Sequence, residues 1–166
     1  KKTHMDQAKE HGIDMIDMVV VNLYPFKETV DSGAGFETCI ENIDIGGPSM
    51  LRAAAKNFAS VSVVTDPGTY DLILEEMRSN DGATTYETRR NLALKVFQTT
   101  NTYEGQILKW LGKEINSEQF EPTKILHFKK KQSLRYGENP AQSAAFYAHE
   151  DYKGFEYSLA NAHQHQ

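Results

Sequence analysis

The chain contains 166 residues, of which 39% are hydrophobic and 25% are charged, and this composition is typical of one soluble globular domain with a small appendage. Its formal net charge of -5 argues against nucleic acid or an anionic membrane as the main partner. Cys39 is the only cysteine, which excludes an internal disulfide framework and favours a reducing compartment.

The chain begins with a predicted helix and a predicted buried strand. Residues 3–11 have helical character and precede Gly12, and glycine is common just after a helix end. Residues 17–24, DMVVVNLY, form a Val-rich run that favours a parallel strand buried on both faces. This run is too short to cross a bilayer, and the polar segment before it does not resemble a secretory signal. We therefore expect neither a membrane span nor a secretory leader.

Helices and a second strand follow in alternation. They are, in order, a loop with Gly33 and Gly35, a short helix over 36–43, a helix over 48–57 with Pro48 in its first turn, a strand over 60–65, and a helix over 67–79 capped by Asp66. Thr84 or Thr85 is predicted to start a long helix that Gly112 ends. Two strands joined by helical crossovers predict a parallel α/β sheet.

The pattern changes near residues 120–126. Two strand-like segments, 124–131 and 143–149, flank a turn with the sequence GENP. We therefore predict a domain boundary there, with one domain over 1–126 and the start of another over 127–166.

The stretch VNLYPF places Asn22 and Tyr24 at the carboxyl end of the first predicted strand, where open α/β sheets bind ligands. A tyrosine there can contact a ligand through its hydroxyl group. The alternative is a half-buried core tyrosine whose hydroxyl is satisfied locally. The spacing alone leaves both interpretations open.

The stretch ENIDIGGPSMLRAAAKN contains an acid, Asp44, shortly before Gly46 and Gly47 at the start of a helix. Bare backbone N–H groups at a helix start can hold an anion or a polar oxygen. No G-x-x-x-x-G-K-[ST] pattern is present, so this is not a P-loop. The alternative is an ordinary glycine turn in which Asp44 or Ser49 caps the helix.

Lys56 ends the same predicted helix, and Arg52 lies on the same helical face one turn earlier. The two cations form either a solvated basic face or, in the case of Lys56, a functional lysine that acts with Asp44. A straight helix would place Asp44 and Lys56 ~18 Å apart, because each residue adds roughly 1.5 Å. The two can meet only if the loop folds back, if the helix is short, or if Lys56 comes from a second subunit.

The stretch LRYGENP places Arg135 beside Tyr136 on a glycine turn. An arginine there can clamp a phosphate group by a two-pronged contact. The preceding HFKKK makes an RNA-binding patch an alternative, although such a short basic run is usually a solvated strand edge. The six histidines do not show metal-ligand spacing, so we predict no metal site.

Four motifs occur in this order: VVVNLYPF, ENIDIGGPSMLRAAAKN, VSVVTDPGTYD and LRYGENP. Together they make the chain resemble the bifunctional purine-biosynthesis enzymes that combine aminoimidazole-carboxamide ribonucleotide (AICAR) formyltransferase with IMP cyclohydrolase. The resemblance runs from about His4 to Tyr147. It implies a methylglyoxal-synthase-like α/β fold, with a parallel sheet and flanking helices, over residues 1–126. The start of the formyltransferase domain would follow from residue 127.

The resemblance also implies roles for single residues. Nucleotide contacts are implied for Val21 and Asn22, and Asp44 and Ile45 match the pair that contacts the base, with Gly46 and Gly47 giving the base room to approach. Tyr24 matches the tyrosine that assists the cyclisation, in which Asp44 can accept a carboxamide proton. Arg135 and Tyr136 match the positions that hold AICAR in the formyltransferase site. Lys56 matches the proton donor or acceptor. Two segments depart from the family pattern, because Ala141 stands where a histidine is usual and QTTNTYE replaces an HTAxYD-like segment.

Further family segments are expected outside this sequence. The phosphate-binding loops and a KTLHP-like lysine segment would precede Lys1, and a Lys-His pair of the formyltransferase would follow Gln166. The resemblance therefore implies that the chain is a piece of a longer enzyme.

For function, the resemblance implies cyclisation of formamido-imidazole-carboxamide ribonucleotide to IMP with loss of water. It also implies formyl transfer from 10-formyltetrahydrofolate to AICAR, with this folate as a cosubstrate and no bound cofactor. A cytoplasmic homodimer without a nucleic-acid or membrane partner is expected. Two alternatives stay open: an inactive fragment that binds purine nucleotides or dimerises, and a protein that binds RNA through HFKKKQSLRYG.

Overall fold

A computed structural model describes residues 2–115, 125–149 and 158–162. The chain divides into two compact units, residues 1–117 and 118–166, and each is described by itself. The linking residues 116–124 lie outside the described ranges. The domain assignment with its boundary after residue 126 therefore stays a prediction.

The first unit combines helices with two short parallel strands. Its elements are, in order, α1 Lys2–Glu10, β1 Met18–Val20, α2 Phe26–Asp31, α3 Phe36–Glu41, α4 Gly46–Lys56, β2 Ser62–Val64, a 3-10 helix Pro67–Thr69, α5 Tyr70–Ser79 and α6 Tyr86–Ile115. Asp66 caps the 3-10 helix by accepting a hydrogen bond from the backbone N–H of Gly68, as predicted.

Helix α1 ends as its sequence predicts. Gly12 has a φ of 62°, in the left-handed region that glycine adopts without steric cost. The N–H of Ile13 then returns to the carbonyl of Ala8 at 2.8 Å, which satisfies a carbonyl at the helix end.

The two strands pair in parallel, which confirms the predicted α/β sheet. Met18 stands opposite Ser62 and Val20 opposite Val64. All three residues of β2 are buried, as expected for a strand covered on both faces. The prediction for β1 is wrong in two respects: the strand ends at Val20 instead of residue 24, and the Val20 side chain is 51% exposed. In the described part of the chain β1 pairs only with β2, so its apolar residues are not fully enclosed.

The segment between the strands contains more helix than the sequence indicated. Helix α2 occupies residues expected to be a loop, and its Phe26 is 1% exposed. Helix α4 begins at Gly46, two residues before the predicted start at Pro48. Proline is tolerated throughout a first turn because those N–H groups have no partner within the helix.

Helix α6 connects two hydrophobic cores. Its first half packs Leu92, Ala93 and Val96 against α4, α5 and β2, and its second half packs Tyr103 and Trp110 against Phe26 and Cys39. Thr85 accepts a hydrogen bond from the N–H of Thr88, so it caps α6 as predicted. The predicted stop at Gly112 is wrong, because the helix continues to Ile115. Among the described residues no helix is long and apolar enough to span a membrane.

Arg89 joins the start of α6 to the turn that follows α4. Its guanidinium group donates to the carbonyls of Phe58 at 3.0 Å, Ala59 at 3.1 Å and Thr84. Nearby, the hydroxyls of Ser62 and Thr84 pair at 2.7 Å in a buried position. These contacts fix β2 and the first turn of α6 relative to α4.

The second unit contains an antiparallel hairpin formed by β3 Phe128–Leu134 and β4 Ala144–His149, and a 3-10 helix follows at Leu159–Asn161. The hairpin was predicted, although β3 begins four residues later than expected. Within the GENPAQ turn, Gly137 donates to the Gln142 carbonyl at 2.8 Å and Asn139 N–H donates to the Gln142 side chain at 3.0 Å.

Candidate functional site

The carboxyl ends of β1 and β2 carry the first predicted contacts. Val21 N–H donates to the Val64 carbonyl at 3.0 Å, which extends the pairing by one residue. The next residue, Asn22, has an exposed side chain whose amide nitrogen donates to the Tyr70 hydroxyl at 3.2 Å. The Tyr70 hydroxyl also lies 3.4 Å from the side-chain oxygen of Asn22, so both polar atoms of this amide contact Tyr70.

Asp44 lies at the centre of the candidate site. One carboxylate oxygen accepts the N–H of Gly47 at 2.7 Å, and the other accepts the N–H of Tyr24 at 3.3 Å. The carboxylate therefore connects the loop after β1 to the first turn of α4. The first of these bonds is the helix cap that the sequence offered as an alternative. A carboxylate has about four lone-pair positions, so this cap leaves acceptor capacity for a ligand.

Tyr103 is bonded to the loop that carries Asp44, and no motif in the sequence predicted this role. Its hydroxyl accepts the backbone N–H of Asp44 at 2.7 Å and donates to the Asn42 carbonyl at 3.4 Å. Burial raises the pKa of Tyr103 above its ordinary value; the Asp44 N–H opposes this, and the Asp44 and Glu104 carboxylates add to it. The available signal was a tyrosine on the apolar face of α6, but nothing in the spacing named its partner.

The two glycines of the motif have different surroundings. A methyl group built on Gly47 would lie 2.5 Å from an Asp44 carboxylate oxygen, whereas one built on Gly46 would meet nothing within 4 Å. Glycine at residue 47 is therefore required by the close approach of the Asp44 carboxylate. Gly46 is exposed and leaves open space at the start of α4.

Gly47→Ala is expected to lower the free energy of unfolding by about 1–3 kcal/mol, because the new methyl group displaces the Asp44 carboxylate. Gly46→Ala is the matched control and should be neutral or stabilising by up to ~1 kcal/mol, since alanine favours a helix. Denaturant unfolding of the full-length protein measures both. Equal effects for the two variants would contradict the close approach at Gly47.

Tyr24 and Ile45 present side chains to solvent beside the Asp44 carboxylate. Tyr24 is 56% exposed and Ile45 is 75% exposed. The alternative of a core tyrosine at residue 24 is therefore wrong. An exposed aromatic ring and an exposed aliphatic chain are surfaces against which a flat heterocycle can pack.

Lys56 stands at the opposite end of α4. The helix is continuous from Gly46 to Lys56, and the Lys56 side chain is exposed. A continuous helix separates Lys56 from Asp44 by ~18 Å along its axis. Within one described chain, α4 therefore contains no bend that brings the lysine to the carboxylate.

Arg135 and Tyr136 belong to the second unit, where they follow β3. Both side chains are exposed, and Tyr136 is 49% exposed. The turn that holds them is closed by the Gly137 and Asn139 contacts to Gln142. In the described ranges no three His, Cys, Asp or Glu side chains are placed to hold a metal ion.

The model of the AICARFT/IMPCHase bienzyme family matches residues 54–166. The chain belongs to this family. A second model, for an MGS-like domain, matches residues 1–49, which confirms the α/β, methylglyoxal-synthase-like fold class.

Relatives of the bienzyme family match most of the chain. The bifunctional purine biosynthesis protein PurH of Bradyrhizobium diazoefficiens is 53% identical over 152 residues, 90% of this chain and 28% of its own length. The PurH of Magnetococcus marinus is 52% identical over an alignment of 168 positions, which covers 99% of this chain and 31% of that protein. The chain thus spans less than a third of these relatives.

A solved structure shares the fold. The crystal structure of ForH has a TM-score of 0.56 and 33% sequence identity, and the match covers 68% of this chain and 59% of that one.

Proposed function

We propose that the chain forms part of an enzyme of purine biosynthesis that cyclises formamido-imidazole-carboxamide ribonucleotide to IMP. The supporting observation is the Asp44 carboxylate, which accepts the backbone N–H groups of Tyr24 and Gly47. The 52–53% identity to two PurH proteins supports the same proposal.

The proposed reaction is an intramolecular ring closure. The carboxamide nitrogen attacks the formyl carbon, and one N–C bond forms. The formyl C–O bond breaks, and the oxygen leaves as water with one proton from the carboxamide nitrogen and one from the formamido nitrogen. The former formyl carbon is then joined to the formamido nitrogen by a C=N bond of the new ring. Holding the two groups face to face supplies much of the rate, because the attack then costs little entropy. The protein must otherwise move protons and stabilise charge on the formyl oxygen.

Named groups of this chain are suited to these tasks. Asp44 accepts a proton from the carboxamide, and Lys56 returns one to the leaving oxygen. The Tyr24 hydroxyl and the Gly46 N–H group stabilise the developing oxyanion, whereas the Gly47 N–H is bonded to Asp44. Val21, Asn22 and Ile45 contact the nucleotide in this proposal.

The lysine role requires a second copy of the chain. Because α4 is continuous, Lys56 lies far from the Asp44 of its own chain. We therefore place Lys56 at the Asp44 site of the partner subunit in a homodimer. The cytoplasm, where soluble nucleotide precursors occur, is the proposed location.

The second proposed activity is formyl transfer from 10-formyltetrahydrofolate to AICAR. Arg135 and Tyr136 hold AICAR in this proposal, with the guanidinium group on a phosphate or carboxamide oxygen. Their exposure in the second unit leaves both side chains accessible to a nucleotide.

The cyclisation is tested with the full-length protein that contains this chain. Purified protein is mixed with formamido-imidazole-carboxamide ribonucleotide, and IMP is measured by chromatography over time. The proposal expects IMP in proportion to enzyme concentration. Binding of the nucleotide without IMP formation would instead support the alternative of an inactive nucleotide-binding module.

Arg135→Ala is expected to weaken AICAR use in formyl transfer by about 10-fold or more, because a two-pronged charged contact is lost. Cyclisation should stay within about twofold, because Arg135 belongs to the other proposed site. Lys130→Ala is the matched control, since it removes one exposed charge from the same hairpin. Both activities are assayed separately on each variant, and a parallel loss of the two would contradict the two-site assignment.

A further inference from the structure

The backbone N–H of Asp44 is hydrogen-bonded to the hydroxyl group of a buried side chain. Tyr103 is 5% exposed, and its hydroxyl accepts the Asp44 N–H at 2.7 Å. The same hydroxyl lies 3.4 Å from the Asn42 carbonyl, to which it donates. Between α3 and α4, the Ile43 N–H still returns to the Ile40 carbonyl at 3.1 Å, whereas the next N–H, that of Asp44, is bonded to the Tyr103 side chain instead of the α3 backbone.

The Tyr103 ring is itself held by the second hydrophobic core. Phe26 contacts it edge-to-face with ring centroids 6.2 Å apart, and Phe26 also contacts Trp110 at 5.5 Å. Cys39, from α3, belongs to the same cluster. These ring contacts fix the position of the Tyr103 side chain, and its hydroxyl therefore binds the Asp44 loop from a packed core.

We propose that Tyr103 is a positioning residue for Asp44. The proposal rests on the proposed cyclisation, in which Asp44 is the proton acceptor. The Asp44 side chain is oriented by the N–H groups of Tyr24 and Gly47, whereas its backbone is fixed by Tyr103. Loss of the hydroxyl lets the Asp44 Cα shift, and a shift of about 1 Å at a reacting group can cost ~10²-fold in rate.

The protonation state of Tyr103 allows both hydrogen bonds. Burial raises the pKa of its hydroxyl, the Asp44 N–H lowers it, and the nearby Asp44 and Glu104 carboxylates raise it, with a net upward shift. The hydroxyl thus keeps its proton at neutral pH. It can donate to Asn42 while it accepts from Asp44.

The test uses Tyr103→Phe in the full-length protein, because phenylalanine keeps the ring and removes only the hydroxyl. We expect kcat for cyclisation to fall about 10- to 100-fold with KM changed less than about threefold, since the acid is displaced but the nucleotide contacts remain. Thr100→Val is the matched control. Thr100 is 2% exposed on the same helix, and its hydroxyl donates to the Phe97 carbonyl in the preceding turn.

A double-mutant cycle separates positioning from stability. If Tyr103 acts through Asp44, Tyr103→Phe should reduce activity strongly in the wild-type background and less than about twofold in an Asp44→Asn background. A merely structural role predicts the same loss in both backgrounds, and this result would overturn the proposal. A wild-type rate for Tyr103→Phe, with Asp44→Asn slow, would overturn it as well and leave the role of Asp44 intact.

Two other outcomes are also decisive. A wild-type rate for Asp44→Asn contradicts the proposed catalysis and, with it, any positioning of Asp44 by Tyr103. If Tyr103→Phe does not fold, two other variants are compared instead. They carry 4-aminophenylalanine or 4-fluorophenylalanine at residue 103, and both side chains are similar in size to tyrosine. The amino group can donate and accept hydrogen bonds, so the 4-aminophenylalanine variant should keep most of the activity. The 4-fluorophenylalanine variant should lose it. Equal rates of cyclisation for the two variants would overturn the proposal.

Discussion

Asp44→Asn in the full-length protein is expected to slow cyclisation by about 10²- to 10⁴-fold, the range typical of a lost general base. An asparagine cannot take a proton from the carboxamide at neutral pH. It also cannot accept two N–H groups as the carboxylate does, because its amide nitrogen would face either Gly47 or Tyr24. A loss of about 1 kcal/mol in the free energy of unfolding should therefore accompany the loss of rate.

Glu76→Gln is the matched control for this prediction. The Glu76 carboxylate also supports a helix start, because it accepts the N–H of Thr85 at 3.0 Å and the hydroxyl of Thr88 at 2.9 Å. Both bonds reach the same carboxylate oxygen, so a glutamine can keep them. The same chemical change there should therefore cost no more stability than Asp44→Asn and should leave cyclisation unchanged. Rates are measured well below the thermal midpoint of every variant. Cyclisation by Asp44→Asn within twofold of wild type would end the proton-acceptor role.

The local features of the fold could be predicted from the sequence because short-range chemistry decides them. Gly12 ends α1, Asp66 caps the turn before α5, and Thr85 caps α6, and each contact spans only a few residues. The Asp44 cap on α4 was foreseen as an alternative for the same reason. Its second bond, to Tyr24, was not, because that partner lies 20 residues away.

Other parts of the site depend on contacts that no sequence pattern encodes. Tyr103 meets Asp44 across 59 residues, and Tyr70 meets Asn22 across 48. A tyrosine on an apolar helix face predicts burial, but the partner of its hydroxyl follows only from the packing of α6 against α2 and α3. The exposure of Val20 has a similar origin, since a Val-rich run predicts a strand but not the number of its neighbours.

The separation of Asp44 and Lys56 was predictable from helix geometry alone. A rise of roughly 1.5 Å per residue gives ~18 Å for twelve residues, and the continuous α4 agrees with it. The sequence could not choose among a folded loop, a short helix and a second subunit. The continuous helix favours the last of these.

Lys56→Met is expected to reduce cyclisation by about 10²-fold or more, because methionine keeps much of the length and helix propensity but carries no proton. Nucleotide binding should be largely retained, since Lys56 is assigned to proton transfer only. Lys113→Met, in the last turn of α6, is the matched control for loss of one exposed lysine and should keep full activity. Binding is measured by calorimetry with IMP, and turnover by IMP formation.

Mixing Asp44→Asn and Lys56→Met proteins then tests which subunit supplies the lysine. If Lys56 serves the Asp44 site of the partner subunit, a mixed dimer has one site with both residues intact and one with both changed. Random 1:1 exchange makes about half of the dimers mixed, so about a quarter of the wild-type activity should return in a two-fold symmetric dimer. If Lys56 serves its own subunit, every site in a mixed dimer carries one substitution and no activity returns. Since α4 holds the two residues ~18 Å apart within a chain, recovery is the expected result. Subunit exchange verified by mass, with activity no higher than that of either variant alone, would contradict the shared site.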